Sequence, residues 1–307
     1  MKKKREAKYK KLADLLFKKI KNCRVPKFSC KYSKKVFTLW QHIVLHCFRQ
    51  MLNLSYREFI YWLESSKLIE YLGLKRIPHY TTLQKVTKRL KPLWLQKIVG
   101  SFIRNTNLTV GIDGTGFGIL EGSSYYCKRT AIVKKKKRYT KLSILADLQK
   151  QLIITCNVRM FPANDIVDFL PLAKRLKGKK IEYFAADKAY DSNANHKYVI
   201  EQLNSKSRIL VKDYGEKRHR NWKKDWRRLA KKQFNEEEYH QRSKVETIFS
   251  VIKRVFGSVL RSKKFYTRKL EVLFKVLVYN TRKIIFYFNM RISTKPKKEI
   301  FKYQYSK

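Results

Sequence analysis

The segment Leu108-Thr-Val-Gly-Ile-Asp113 is a short apolar run that ends in a carboxylate. A run of this kind predicts a buried β-strand. The segment Ile181-Glu-Tyr-Phe-Ala-Ala-Asp187 shows the same pattern further along the chain. Adjacent strand ends of a mixed sheet meet at one edge, where ligands bind, so Asp113 and Asp187 are candidates for a shared site. Taken alone, each aspartate is more simply explained as a turn-capping residue.

The surrounding segments extend this pattern into a mixed α/β fold. The predicted order is three strands, helix, strand, helix, strand, helix. The first three strands suit an antiparallel meander and the later two suit parallel crossovers, which predicts a mixed five-stranded sheet flanked by helices. Besides the two quoted strands, the predicted elements are strands at about 140–147, 152–158 and 207–212, and helices at about 168–176, 195–203 and 236–256.

The first 100 or so residues form a different region, in which apolar side chains recur near helical spacing. Thr81 followed by Gln84 matches a capping box and predicts a helix that begins there and ends at Pro92. A helical unit of this kind suits DNA binding or dimerisation, and a solvated basic face explains its cations equally well. The predicted organisation is a helical region at 1–100, an α/β domain at 101–290 and a basic tail at 291–307.

The charge balance indicates a polyanionic partner. Lys and Arg number 73 against 23 Asp and Glu, which gives a formal net charge of +50. A compact body with this charge repels itself unless a polyanion is near, and nucleic acid is the natural candidate. A non-catalytic basic DNA-binding or structural protein would show the same surplus. No charge-free run reaches membrane-spanning length, so no membrane association is expected.

A polar stripe on the last predicted helix of the α/β pattern carries the third candidate carboxylate. Tyr239 and Arg242 lie seven and four residues before Glu246, and Lys253 lies seven residues after it. At about 100° per residue, all four side chains share one face of a continuous helix. An Arg242–Glu246 ion pair on a solvated surface explains the stripe simply. A metal ligand flanked by phosphate-binding cations is the sharper interpretation.

Together these segments resemble the DDE transposases of bacterial and archaeal insertion sequences, whose catalytic domain has an RNase H-like fold. The resemblance covers roughly residues 80–285. The spacing of the third block matches the family's Tyr-Arg-Glu-Lys signature in full. The three blocks are Gly111-Ile-Asp113-Gly-Thr, then Ala185-Ala-Asp187-Lys-Ala-Tyr-Asp191-Ser, and then Tyr239-x2-Arg242-x3-Glu246-x6-Lys253.

The resemblance implies that Asp113, Asp187 and Glu246 are catalytic and hold two Mg²⁺ or Mn²⁺ ions. The implied reaction is cleavage of DNA at the terminal inverted repeats of an element, followed by strand transfer into target DNA. A homodimer on DNA, in a prokaryotic cytoplasm at the nucleoid, is expected. A metal-dependent nuclease of the same fold, without strand transfer, is the alternative. Asp191 is an alternative ligand, but Asp187 is preferred because it ends the strand, whereas Asp191 suits a helix cap.

Further residues are predicted to contact DNA. Arg242 and Lys253 are expected to hold phosphates, and Tyr239 is expected to contact the DNA backbone or orient a neighbour. Basic residues interleaved with tryptophans between 218 and 232 suit an unpaired base, although aromatics that dock this segment onto the body are the simpler explanation. The remaining DNA-binding candidates are Lys134, Lys135, Lys136, Arg220, Trp222, Lys223 and Arg227.

Overall fold

The computed structural model describes residues 2–103, 107–119, 139–160, 164–212 and 226–293. The N-terminal region is helical, as predicted. In the described part of the chain, no helix is both long enough and apolar enough to cross a bilayer. The helices of this region are α1 (Lys2–Asn22), α2 (Leu39–Leu52), α3 (Tyr56–Glu64), α4 (Leu68–Tyr71), α5 (Tyr80–Val86), a 3₁₀ turn (Thr87–Arg89) and α6 (Pro92–Gly100).

A mixed sheet follows, and its order is β3-β2-β1-β4-β5. The pairs β1–β2 and β2–β3 are antiparallel, and the pairs β1–β4 and β4–β5 are parallel. This confirms the predicted meander and crossovers. A short sixth strand, which was not predicted, pairs with the end of β1. The strands are β1 (Leu108–Ile119), β2 (Tyr139–Asp147), β3 (Leu152–Arg159), β4 (Ile181–Ala186), β5 (Lys206–Ile209) and β6 (Val259–Leu260).

Helices cover both faces of this sheet. On one face, Val110 and Ile112 of β1 pack with Phe169 and Tyr190. On the other face, Phe117 of β1 joins a larger core that includes the N-terminal helices. The helices after β3 are α7 (Ile166–Ala173), a 3₁₀ turn (Lys174–Leu176), a 3₁₀ turn (Lys188–Tyr190), α8 (Asn193–Lys197) with a π turn (Tyr198–Gln202), α9 (Trp226–Lys232), α10 (Glu236–His240), α11 (Ser243–Phe256) and α12 (Phe265–Ser293).

The long helix α12 ties the N-terminal helices to the sheet. Its buried Asn280 accepts a hydrogen bond from the Ile153 N–H at 2.9 Å and donates one to the Ile153 carbonyl at 2.8 Å, so the amide satisfies a strand residue on both sides. Buried residues of α2, α6 and α12 belong to the same apolar core. The N-terminal helices and the sheet therefore share a core through α12.

Two predicted boundaries need correction. Asp113 does not end its strand, because β1 continues to Ile119 along the antiparallel partner β2. The helix predicted from 236 to 256 is two helices, α10 and α11. The chain tightens between them, since the Arg242 N–H bonds the Tyr239 carbonyl at 3.0 Å and the Lys244 N–H bonds the Gln241 carbonyl at 3.1 Å. These i to i+3 bonds replace the α-helical pattern, so Tyr239 and Glu246 do not share one continuous helix.

The predicted capping box at Thr81 is also wrong. Helix α5 begins at Tyr80, and Thr81 lies inside it, where its hydroxyl contacts His79 Nδ1 at 2.8 Å. Complete capping boxes occur instead at two earlier helices. Thr38 and Gln41 form one at the start of α2, and Ser55 and Glu58 form one at the start of α3.

Gly111 sets the distance between β1 and helix α11. A methyl group at this position would lie 2.6 Å from Leu148 Cδ2 and 2.8 Å from Val245 Cγ2, closer than atoms can approach. Val245 is a fully buried residue in the first turn of α11 and immediately precedes Glu246. The missing side chain at Gly111 therefore allows α11 to pack tightly on β1 and brings Glu246 toward the strand that carries Asp113.

Gly111→Ala should lower the free energy of unfolding by about 1–3 kcal/mol, because an overpacked core forces neighbouring groups to move. Urea unfolding of the purified protein measures this. Gly100→Ala is the matched control: its added methyl would lie 3.5 Å from the Ile154 carbonyl oxygen, an ordinary contact, in a helix where Ala is favoured. Equal stabilities for the two variants would contradict the packing argument.

Candidate active site

Asp113 and Asp187 occupy equivalent positions on the neighbouring parallel strands β1 and β4. The ladder pairs Gly111 with Ala185. Each aspartate lies two residues beyond its member of that pair, so both follow the same register and the same face. The strand pairing therefore places Asp113, within β1, and Asp187, just beyond β4, at matching positions of neighbouring strands.

Each of these two carboxylates accepts a hydrogen bond from the backbone N–H that follows it. Asp113 Oδ1 accepts from the Gly114 N–H at 2.7 Å, and Asp187 Oδ1 accepts from the Lys188 N–H at 2.7 Å. Asp187 thereby caps the 3₁₀ turn after β4. The capping interpretation is thus correct for Asp187, and it leaves the second carboxylate oxygen outside this bond.

Glu246 lies in the first turn of α11 and pairs with Arg242. Arg242 Nη1 is 2.9 Å from Glu246 Oε1, and the Glu246 side chain is 57% exposed. The Arg242 guanidinium also lies over the ring of Tyr239, 5.7 Å from its centroid. Tyr239, Arg242 and Glu246 are therefore close together, although a turn and not a continuous helix connects them.

Asp113 is half-buried, and two further carboxylates lie near it. Burial, with a smaller contribution from the nearby carboxylates of Glu246 and Asp165, raises the pKa of Asp113 to about 6. The Gly114 hydrogen bond and the Arg242 charge act in the opposite direction but do not offset this effect. A carboxylate in this state favours the arrival of a cation.

Arg242 lies within electrostatic reach of all three predicted catalytic carboxylates. Burial lowers the pKa of its guanidinium, but Tyr239, Asp187, Glu246 and Asp113 together raise it. The same cation therefore interacts with carboxylates from β1, from the end of β4 and from α11. Arg242 is therefore the cation that the three predicted catalytic carboxylates have in common.

The chemistry of these side chains fits a divalent cation such as Mg²⁺ or Mn²⁺, since carboxylate oxygens are the ligands that hard cations prefer. Across residues 2–103, 107–119, 139–160, 164–212 and 226–293, no three His, Cys, Asp or Glu side chains are close enough to hold a metal ion. Each carboxylate bonds a protein group instead: Gly114 N–H, Lys188 N–H or Arg242.

Lys253 lies further along the same face of β1. Its Nζ is 5.8 Å from the centroid of the Phe117 ring. Phe117 and Asp113 are four residues apart on one strand, so their side chains point to the same face. Helix α11 thus runs beside β1, with Val245 against Gly111 at one end and Lys253 over Phe117 at the other.

Asp191 does not cap a helix, because the residue that caps α8 is Ser192. Its side chain instead binds other parts of the protein. Its buried carboxylate accepts hydrogen bonds from Arg227 Nε at 2.9 Å, from Arg227 Nη2 at 2.5 Å and from the Lys212 N–H at 2.8 Å. His196 Nε2 lies 3.1 Å from the same carboxylate. This arrangement favours Asp187 over Asp191 as a metal ligand.

The structure corrects the prediction that Arg227 contacts DNA. Its side chain is 6% exposed, and its guanidinium is paired with Asp191. A buried and paired guanidinium holds α9 to the body of the protein and does not face a phosphate. The other predicted DNA contacts of that region and of the first basic run lie outside the described residues: Lys134, Lys135, Lys136, Arg220, Trp222 and Lys223.

Asp165 and Lys141 form an ion pair near Asp113 that the sequence analysis missed. Lys141 Nζ lies 2.7 Å from Asp165 Oδ1. A methyl group on Gly114 would lie 3.0 Å from Asp165 Oδ1 and 3.2 Å from Lys141 Cε, so this glycine lets the pair approach β1 on the face opposite to the Asp113 side chain. The scarcity of acidic residues was a usable signal for Asp165, since a carboxylate is unusual in this chain.

Asp113→Asn should stabilise the protein at pH 7 in the presence of EDTA, by about 1–3 kcal/mol. The pKa of Asp113 in the folded protein, about 6, lies above the ordinary 3.8. Between these values the folded protein binds more protons than the unfolded chain, so stability falls as the pH rises through this window. The advantage of the variant should therefore shrink toward pH 4. Urea unfolding at several pH values measures it.

Asp168→Asn is the control with the opposite expected sign. Burial acts to raise the pKa of Asp168, but hydrogen bonds from Arg159, Ser143 and Asn157 lower it overall. Its ionised form therefore stabilises the fold, and the variant should be less stable than the wild type at pH 7. If Asp113→Asn also lost stability at pH 7, the account of a desolvated, cation-poor carboxylate would be wrong.

Comparison with known proteins places these residues in a family context. The model of the family described as "Transposase DDE domain" matches residues 107–281, which include Asp113, Asp187 and Glu246. An uncharacterized protein of Aquifex aeolicus (strain VF5) is 22% identical over 239 residues, which are 70% of this chain and 73% of that protein. A piggyBac transposase, solved as a synaptic complex with hairpin DNA, aligns with a TM-score of 0.47 at 14% identity. That alignment covers 96% of this chain and 76% of the piggyBac chain.

Proposed function

This chain belongs to the transposase DDE domain family, and we propose that it cleaves DNA at the ends of a mobile element and joins the freed strand to target DNA. One observation carries the proposal beyond the family. A single guanidinium, that of Arg242, lies within electrostatic reach of Asp113, Asp187 and Glu246. Three carboxylates from separate segments that all act on one guanidinium support a site for phosphoryl transfer at divalent cations.

Asp113, Asp187 and Glu246 would hold the metal ions. When bound, two divalent ions would activate the attacking hydroxyl and stabilise the entering and leaving oxygens of the phosphoryl transfer. The strands β1 and β4 fix the two aspartates in register, and the close packing at Gly111 fixes the start of α11, from which Glu246 projects. The protein thereby orients three oxygen donors from two directions.

Arg242 and Lys253 would hold DNA phosphates beside the metal site. Arg242 is now paired with Glu246, and a phosphate could replace that carboxylate as its partner, since the guanidinium fork suits either group. Lys253 stands further along α11, over Phe117. Both cations lie on the β1 side of α11, so a DNA strand that follows this helix would meet each of them. A homodimer assembled on DNA is part of the same proposal.

Asp113→Asn, Asp187→Asn and Glu246→Gln should each slow cleavage of element-end DNA by about 10³-fold, because losing a metal ligand removes several kcal/mol of transition-state stabilisation. DNA binding should remain within about two-fold, since affinity rests on the cations. A strand-cleavage assay and a binding titration, both with Mg²⁺, measure the two effects.

Glu237→Gln is the matched control, because Glu237 is an exposed acid of α10 outside the site. It should cleave at the wild-type rate. If Asp187→Asn cleaved DNA at the wild-type rate, Asp187 would not be a catalytic residue. A joining assay separates the two possible activities: nicked ends that never become attached to target DNA would indicate a nuclease without strand transfer.

A further inference from the structure

A cationic groove lies where the N-terminal helices meet the loop between β6 and α12. Its volume is about 580 Å³, and its walls come from α2, α3 and α5 on one side and from residues 261–264 on the other. Against one carboxylate, that of Glu271, the lining contains six basic residues: Arg49, Lys85, Lys88, Arg261, Lys263 and Lys264. None of the three proposed catalytic carboxylates borders it.

Glu271 offsets only one of these six positive charges, and its carboxylate oxygens bind the backbone of the basic loop. Its carboxylate, 5% exposed, accepts hydrogen bonds from the Arg261 N–H at 3.1 Å and from the Ser262 N–H at 2.9 Å. In the described parts of the chain, Lys85, Lys263 and Lys264 have no carboxylate within ion-pair distance. The one acid of the groove thus holds the loop in place and leaves the lysine charges unpaired.

A buried guanidinium adds a fixed positive charge to the groove lining. Arg49 is 5% exposed and stacks on Tyr56, with 4.2 Å between the guanidinium carbon and the ring centroid. Its Nη1 donates to the Leu54 carbonyl at 3.1 Å, while its Nε is buried without a hydrogen-bond partner. A buried donor without a partner is costly, and a bound anion would supply the missing acceptor or relax the side chain toward one.

We propose that this groove binds a phosphodiester backbone. Lone anions are a poor match, because the cations stand on two facing walls and outnumber the charge of one phosphate. Successive phosphates of a strand, by contrast, present one negative charge each and suit such a row of cations. The inference rests on the proposed function only in taking DNA as the partner. It adds a second contact region, formed jointly by the N-terminal helices and the segment that follows α11.

The test replaces exposed groove lysines, so that folding is not disturbed. The triple variant Lys85→Gln, Lys263→Gln, Lys264→Gln is compared with Lys11→Gln, Lys18→Gln, Lys21→Gln, which removes the same charge from exposed positions of α1. Binding of labelled duplex DNA, single-stranded DNA and RNA is measured over a salt series in EDTA. The groove variant should lower the slope of log K against log salt by about 0.9 per lost duplex contact, and more than the control does.

The three probes also distinguish which kind of nucleic acid the groove binds. A loss confined to one kind of nucleic acid supports the groove and names its strand type. Equal losses for the groove variant and the α1 control, on every probe, would overturn the proposal and reduce it to a general effect of charge. The test is independent of cleavage, because it needs no metal and can be repeated in the Asp113→Asn background. If the wild-type protein did not cleave DNA but the groove variant still showed its loss of binding, only the proposed function would be contradicted.

Discussion

The contact between Gly111 and Val245 determines how the two parts of the site meet. Two carboxylates come from the sheet and the third comes from a helix that lies on it, so the helix-to-strand distance decides whether they can act together. That distance is short only because β1 has no side chain at Gly111. The same helix places Arg242 before Glu246 and Lys253 beyond it, over Phe117. One absent side chain thus positions a carboxylate and two cations relative to Asp113.

Buried carboxylates in this very basic chain fall into two groups with opposite electrostatics. Asp168 and Asp191 are surrounded by hydrogen-bond donors, and their pKa values are lowered as a result. They hold segments together, since each joins residues that are distant in the sequence. Asp113 is half-buried, but its pKa is raised to about 6. In a protein with a net charge of +50, a carboxylate whose pKa is raised differs from the structural acids and is a candidate for function.

Much of this arrangement could be predicted from local patterns. The strands around Asp113 and Asp187 were recognisable from their apolar runs, and their order gave the correct meander and crossovers. The length of β1 was not recognisable, because its glycine-rich second half gains its order from pairing with β2. The break before Ser243 was missed because helical periodicity continues through it while the backbone does not. The role of Arg227 depends on Asp191, which is 36 residues away, and no local pattern contains that pairing.

The Arg242–Glu246 pair is weak enough for either partner to be exchanged. An ion pair with a carboxylate as exposed as that of Glu246 is worth at most about 1 kcal/mol, so little free energy opposes its exchange. A metal ion would replace Arg242 as the partner of the Glu246 carboxylate, and a phosphate would replace Glu246 as the partner of Arg242. Because Asp113, Asp187 and Glu246 all act on Arg242, a cation that entered among them would repel the guanidinium. Movement of Arg242 toward an incoming phosphate would then accompany metal binding, so that metal and DNA favour each other's binding at this edge of the sheet.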